Sequence, residues 1–101
     1  MTELPVDGLD EVIHQRYRLG ILAYLSTVRR AEFTAIRAAV GLTDGNLSRH
    51  LTKLANAELI AVTKTATQGP RTWAELTPGG RTALNAHVRA LRAILDQVDP
   101  L

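Results

Sequence analysis

The chain contains no cysteine, so disulfides, thiolate zinc sites, iron-sulfur clusters and thiol nucleophiles are all closed to it. Stability has to come from packing. Aromatic side chains are nearly as scarce: Tyr17, Tyr24, Phe33 and Trp73 are the full set, too few for a platform that stacks single-stranded bases. They are expected in the core or at a subunit contact. No apolar run approaches the roughly 18–20 residues of a membrane span, and Met1 to Glu11 lacks the basic and apolar regions of a signal peptide. A cytoplasmic protein without membrane contact is expected. Ser26 and Ser48 have no paired His and Asp pattern nearby, and no phosphate-loop pattern accompanies Gly79-Gly80. The residues therefore argue against an enzyme and call for no cofactor. His14, His50 and His87 match no metal-ligand spacing. No metal is expected, and only His87 with Asp96 or Asp99 across a subunit contact offers a surface site in principle.

What is present is uneven charge. The first eleven residues carry Glu3, Asp7, Asp10 and Glu11 and no base, whereas Val12 to Arg81 carries ten Lys/Arg against Glu32, Asp44, Glu58 and Glu75. The last twenty residues balance, with Arg89 and Arg92 against Asp96 and Asp99. A basic middle in a chain of 101 residues, short enough for one compact domain, points to a polyanionic partner.

Apolar spacing divides the chain into elements. Residues 1–8, with Pro5 and Gly8, read as a flexible arm, and 9–101 as a single domain. A first helical stretch follows the arm, where Leu9, Val12 and Ile13 can tuck into the core. Ile21, Leu22, Leu25 and Val28 then recur at helical spacing over Arg18 to Val28. Phe33, Ile36 and Val40 repeat the pattern in a short helix that Gly41 stops. A further helix over about 44–57, capped by Asp44 or Thr43, places Leu47, Leu51 and Leu54 in one apolar row. Beyond it Ile60 to Thr67 and Thr72 to Leu76 alternate around the turn residues Gln68-Gly-Pro-Arg71, a β-hairpin. Thr77-Pro78 opens a last helix over 78–98, whose Leu84, Val88, Leu91, Leu95 and Val98 form a short heptad seam. That seam is read as a dimer interface at Leu84, Val88, Leu91 and Leu95, shared with packing on the same chain.

The short helix, the Gly41-Leu42 turn and the helix after it form a helix-turn-helix. With three leucines facing inward, Asn46, Ser48, Arg49, Thr52 and Lys53 face outward, a surface that suits a DNA major groove. Asn46 and Arg49 have the hydrogen-bonding forks for base edges, and Gly45 lets the backbone approach closely. Thr43, Ser48, Thr52 and Lys53 suit phosphates. Asp44 either caps the helix or accepts from a cytosine amino group. His50 is read as a packed or capping residue. The hairpin, over about 64–72, offers Lys64, Gln68 and Arg71 as a wing for the minor groove or its phosphates, Arg71 foremost. Arg29 and Arg30 are secondary candidates for phosphate.

The order helix, helix, recognition helix, hairpin, helix gives a fold class mainly α with a small β-hairpin wing (α+β). Arg18-Leu-Gly-Ile-Leu22, Phe33-Thr34, Leu42-Thr-Asp-Gly-Asn-Leu-Ser-Arg-His-Leu51, Arg71-Thr72 and Leu76-Thr-Pro-Gly-Gly-Arg81 resemble the small winged helix-turn-helix transcriptional regulators related to the MarR and ArsR families. Arg16 departs from the pattern, since similar sequences often carry proline there. The resemblance implies a homodimer that binds double-stranded DNA through paired recognition helices, with the last helix helping to join the subunits. The rival reading is a winged-helix module that holds a protein partner and has little affinity for DNA. Nothing in the residues identifies a small-molecule effector.

Overall fold

A computed structural model describes residues 4–98. It contains four helices, α1 (Arg16–Leu25), α2 (Phe33–Val40), α3 (Asp44–Asn56) and α4 (Pro78–Leu95), and three strands, β1 (Ala31–Glu32), β2 (Ile60–Thr65) and β3 (Arg71–Leu76). The fold class is the one expected, mainly helical with a hairpin wing. The hairpin, however, belongs to a three-stranded antiparallel sheet in the order β1-β3-β2, with Ala31 opposite Ala74 and Glu32 opposite Trp73. Two residues are too few to show alternation, so β1 had no periodic signal to reveal it.

Three of the four helices, α1, α3 and α4, begin on a side chain that satisfies free backbone N–H groups, whereas α2 starts after Glu32 without one. Gln15 Oε1 accepts from the N–H groups of Tyr17 and Arg18 at 3.0 and 2.9 Å, which starts α1 at Arg16, two residues before the expected position. At α2 the terminator is Gly41, whose φ of 70° reverses the chain toward α3 without Cβ strain. Thr43, not Asp44, caps α3: its Oγ1 accepts from Asn46 N–H at 3.3 Å. At the far end of α3 the left-handed residue is Glu58, with φ of 61°. Its N–H bonds Ala55 O and that of Leu59 bonds Leu54 O, closing off the last carbonyls before β2. Thr77 caps α4, accepting from Gly80 N–H at 2.8 Å while donating to Glu58 O at 2.7 Å. This threonine therefore clamps the start of α4 to the end of α3.

Ile21, Leu22 and Leu25 of α1, Ile36 of α2, and Leu47, Leu51 and Leu54 of α3 are buried together with Ile60, Ala74 and Leu84. One core thus takes an apolar face from every helix and from the sheet. The helical stretch expected around Leu9 to Ile13 is a turn instead. Asp10 Oδ1 accepts from Val12 and Ile13 N–H at 2.8 and 3.2 Å, and Ile13 is fully buried. Of the arm expected over 1–8, residues 1–3 lie outside those described. Val6–Gly8 forms a 3-10 turn against α4, where a Cβ on Gly8 would stand 3.0 Å from that of Ala90.

Along α4 the expected seam divides. Leu84 is buried in its own core and Val88 packs against it, so Leu84 is not available to a second subunit. Leu91 is half-buried, while Leu95 and Val98 are 55% and 64% exposed. His87 is the only buried polar residue among those described, 1% exposed. A surface metal site joining it to Asp96 across a subunit contact is therefore ruled out, and Asp99 lies outside the described residues. Its Nδ1 accepts from Asp10 N–H at 3.0 Å, which keeps the proton on Nε2, 3.4 Å from His14 Nδ1.

Burial, and next the neighbouring His14, hold the His87 imidazole below its ordinary value, with Asp10 pulling the other way. The unfolded chain therefore binds a proton here near pH 6.5 that the folded chain resists. Stability should be full above about pH 6.5 and fall as the pH drops from there toward the folded value. Urea midpoints at pH 7.5 and 5.5 test this, and His87→Gln, which keeps an acceptor for Asp10 N–H, should lessen the decline. An equal decline in both proteins would show that His87 is not responsible.

Candidate nucleic-acid interface

The cap at Thr43 and the three buried leucines set the rotation of α3 about its own axis. Gly45, Asn46, Ser48, Arg49, Thr52 and Lys53 are consequently all exposed. These six line one concave surface of about 520 Å³, together with His50, Asn56 and Arg18 of α1. A Cβ built on Gly45 would meet nothing within 4 Å, so the backbone there faces open space. Ser48 and Thr52 also border a second hollow of about 300 Å³, which continues across Asn56 to Lys64 and Thr72 of the hairpin. The outward face of α3 and the near side of the wing thus form one continuous surface, with Phe33, Leu51, Ala55 and Val62 among the polar side chains of the second hollow.

The remaining candidates stand apart. Thr43 lies at the helix start with its hydroxyl occupied as the cap acceptor, outside both hollows. Gln68 is at the hairpin tip with φ of 61°, beside Gly69 at 97°. Arg71, expected foremost on the wing, leans back toward β1, where its Nε lies 3.7 Å from Glu32 Oε1. It sits at the first position of β3, opposite Thr65, and not on the tip. Arg30 is stacked over the Trp73 ring at 4.0 Å, so this secondary candidate covers the outer sheet.

Asp44 has a role that neither sequence reading included. Its carboxylate accepts from Arg37 Nη1 at 2.7 Å, an exposed ion pair between α2 and the first turn of α3. The pair neutralises the one acid beside the recognition face, and a carboxylate in a first helical turn also favours the helix dipole. Arg37 and Arg71 are the only cations among the described residues with a carboxylate within 4.0 Å. Arg18, Arg49 and Lys53 share the same hollow without one. Clustered positive charge that lacks internal counterions is electrostatically suited to an external polyanion.

Sequence reading missed Arg18, whereas His50 is packed as expected, its ring centroid 5.8 Å from that of Tyr17. Arg18 Nη1 lies 3.3 Å from His50 Nδ1, and its Nε donates to Val12 O at 2.6 Å. Burial first, then the charges of Arg18, Arg49 and Lys53, push the His50 imidazole below its ordinary value. Thirty-two residues separate Arg18 from His50, so no local pattern could have joined them.

Comparison with known proteins agrees with this geometry. Residues 17–95 match the model of the winged helix DNA-binding domain family. An uncharacterized protein of Methanocaldococcus jannaschii is 30% identical over 79 residues, covering 77% of this chain and 86% of that one. The solved structure of a transcriptional regulator homologue from Pyrococcus horikoshii superposes with a TM-score of 0.90 at 29% identity, over 98% of this chain and all of that one. A MarR family transcriptional regulator from Streptomyces coelicolor, solved in complex with DNA, has the same fold, with a TM-score of 0.70 at 24% identity over 93% of this chain and 66% of that one. No helix among the described residues is long and apolar enough to cross a membrane. With its capped third helix, its clustered cations and the family match over most of its length, the chain belongs to the winged helix DNA-binding domain family.

Proposed function

We propose that this protein is a sequence-specific, double-stranded DNA-binding transcriptional regulator that acts as a homodimer. The observation that carries the proposal is the set of cations on and beside α3 that have no acidic partner among the described residues and line one hollow with Asn46, Ser48 and Thr52. In this reading α3 enters the major groove. Asn46 and Arg49 read base edges across the opening left by Gly45, while Thr43, Ser48, Thr52 and Lys53 hold phosphates. Lys64, at the hollow between helix and hairpin, extends contact onto the wing with Gln68. Arg71 joins them on exchanging Glu32 for a phosphate, an exchange favoured by the length and exposure of that ion pair.

Dimerisation is supported by apolar surface at the two ends of the described chain. Leu4 and Val6, and Leu95 and Val98, are all exposed. The Cα radius of gyration is 15.2 Å, against about 13 Å for a compact domain of this size. We read residues 9–101 as a single domain, and its described part is elongated, with the outer end of α4 unpacked and so with surface to bury against a copy of itself. Twofold symmetry would set the recognition helices roughly 34 Å apart, one turn of duplex, and call for a pseudo-palindromic site.

Gel shifts with random duplex at two salt concentrations, followed by selection from a random pool, test the reading. Affinity should fall steeply with salt. Arg49→Ala should cost about 1–3 kcal/mol and relax preference at one base position, whereas Lys53→Ala should weaken all sequences alike and lower the salt slope by about one. Arg49→Ala with unchanged affinity and preference would refute the assignment, as would salt-insensitive binding that depends on a protein partner.

A further inference from the structure

The Arg18 guanidinium is an odd component of a fold held together by packing. It is half-buried, it is anchored to Val12 O through Nε, and among the described residues it has no carboxylate within 4.0 Å. Its neighbours in the hollow are Arg49, Lys53 and His50. A guanidinium only donates hydrogen bonds, so the contact at 3.3 Å makes His50 Nδ1 the acceptor and places the imidazole proton on Nε2. His50 is thereby held neutral amid three fixed positive charges, two from α3 and one from α1. The remaining titratable group packed against it is the Tyr17 phenol of α1, with ring centroids 5.8 Å apart, and Tyr17 itself lies under the Arg16 guanidinium. Among the described residues no carboxylate lines the hollow.

We propose that Arg18, His50 and Lys53, beside the base-reading Arg49, together hold one backbone phosphate of duplex DNA, and that His50 takes up a proton as the phosphate arrives. The proposal rests on the DNA-binding reading above and adds to it a phosphate site supplied partly by α1, with a proton-linked member. A phosphate in the hollow offsets the cations that disfavour imidazolium in the free protein. Protonation at Nδ1 ends its role as acceptor for Arg18 Nη1, and this frees the guanidinium to donate to the phosphate. Two donors become available for one proton bound. By linkage, the duplex is bound more tightly as the pH falls through the value at which His50 titrates in the complex. The gain levels off below the value at which it titrates in the free protein.

The test measures His50 titration by proton NMR in the wild-type protein, with and without a bound duplex, alongside duplex affinity between pH 5.5 and 8. His50 should titrate at higher pH in the complex while the remote, buried His87 serves as an internal reference. Affinity should rise by up to about tenfold per pH unit in the window between the two His50 titrations, and His50→Gln should flatten that rise. Arg18→Gln should lower the salt slope by about one. If His50 titrates identically in the free and bound protein, or Arg18→Gln leaves the salt slope unchanged, the proposal is overturned and the DNA-binding reading stands. If the wild-type protein binds no duplex in dilute buffer, both fall.

Discussion

Replacing Gly80 with alanine is expected to destabilise the fold by about 3 kcal/mol, the upper range for forcing atoms into a packed interior. A domain of this size would lose roughly 12–24 °C of melting temperature. Gly80 lies in the first turn of α4, and a Cβ there would overlap the Leu59 carbonyl oxygen and stand 2.8 Å from its carbon. The obstacle is backbone and cannot rotate away. The same carbonyl accepts the Thr77 N–H at 3.1 Å, so any shift that makes room also loosens the clamp between α4 and the end of α3. Gly79 supplies the control. A Cβ on Gly79 meets nothing nearer than Thr77 Oγ1 at 3.8 Å, and alanine there should leave stability unchanged or raise it by about 0.5–1 kcal/mol through reduced backbone entropy. Thermal melts of the two variants side by side decide the matter. A Gly80→Ala protein that melts like its parent would mean that α4 does not seat on the Leu59 backbone.

Leu47→Ala should be as damaging, at about 2–5 kcal/mol, because it leaves a cavity under the first turns of α3. Leu47 is fully buried and can touch no DNA. Its side chain nevertheless sets which way Asn46, Ser48 and Arg49 project, since those neighbours take the outward directions that an inward residue leaves to them. Denaturant unfolding gives the stability loss. Duplex affinity, measured at a temperature where the variant remains folded, should also fall, by the misalignment of side chains that are chemically intact. Wild-type affinity in a strongly destabilised variant would show that the orientation of α3 is set elsewhere.

Much of this architecture was legible because its causes are local. Leu47, Leu51 and Leu54 fall on one side of any α-helix, Phe33 to Val40 ends where Gly41 permits a left-handed turn, and Thr77-Pro78 marks a helix start. All three readings match the observed elements. The outward set on α3 follows from the same periodicity. Asp44 was harder, since either Thr43 or Asp44 has an oxygen within reach of the free N–H groups. The backbone is extended at Thr43 and helical from Asp44, so the threonine is the cap, and the aspartate meets Arg37 of the preceding helix instead.

What the amino-acid order determined by itself was the run of helices, the hairpin and the polar face of α3, because side-chain period and capping chemistry act within a few residues. Packing alone decided that Ala31–Glu32 joins the sheet, that Leu84 and His87 turn into their own core, that Arg71 rests on Glu32, and that Arg18 meets His50. Each of those contacts joins elements far apart in the chain. Its partner is chosen by the direction in which a whole helix or strand docks, and no short stretch of residues encodes that direction.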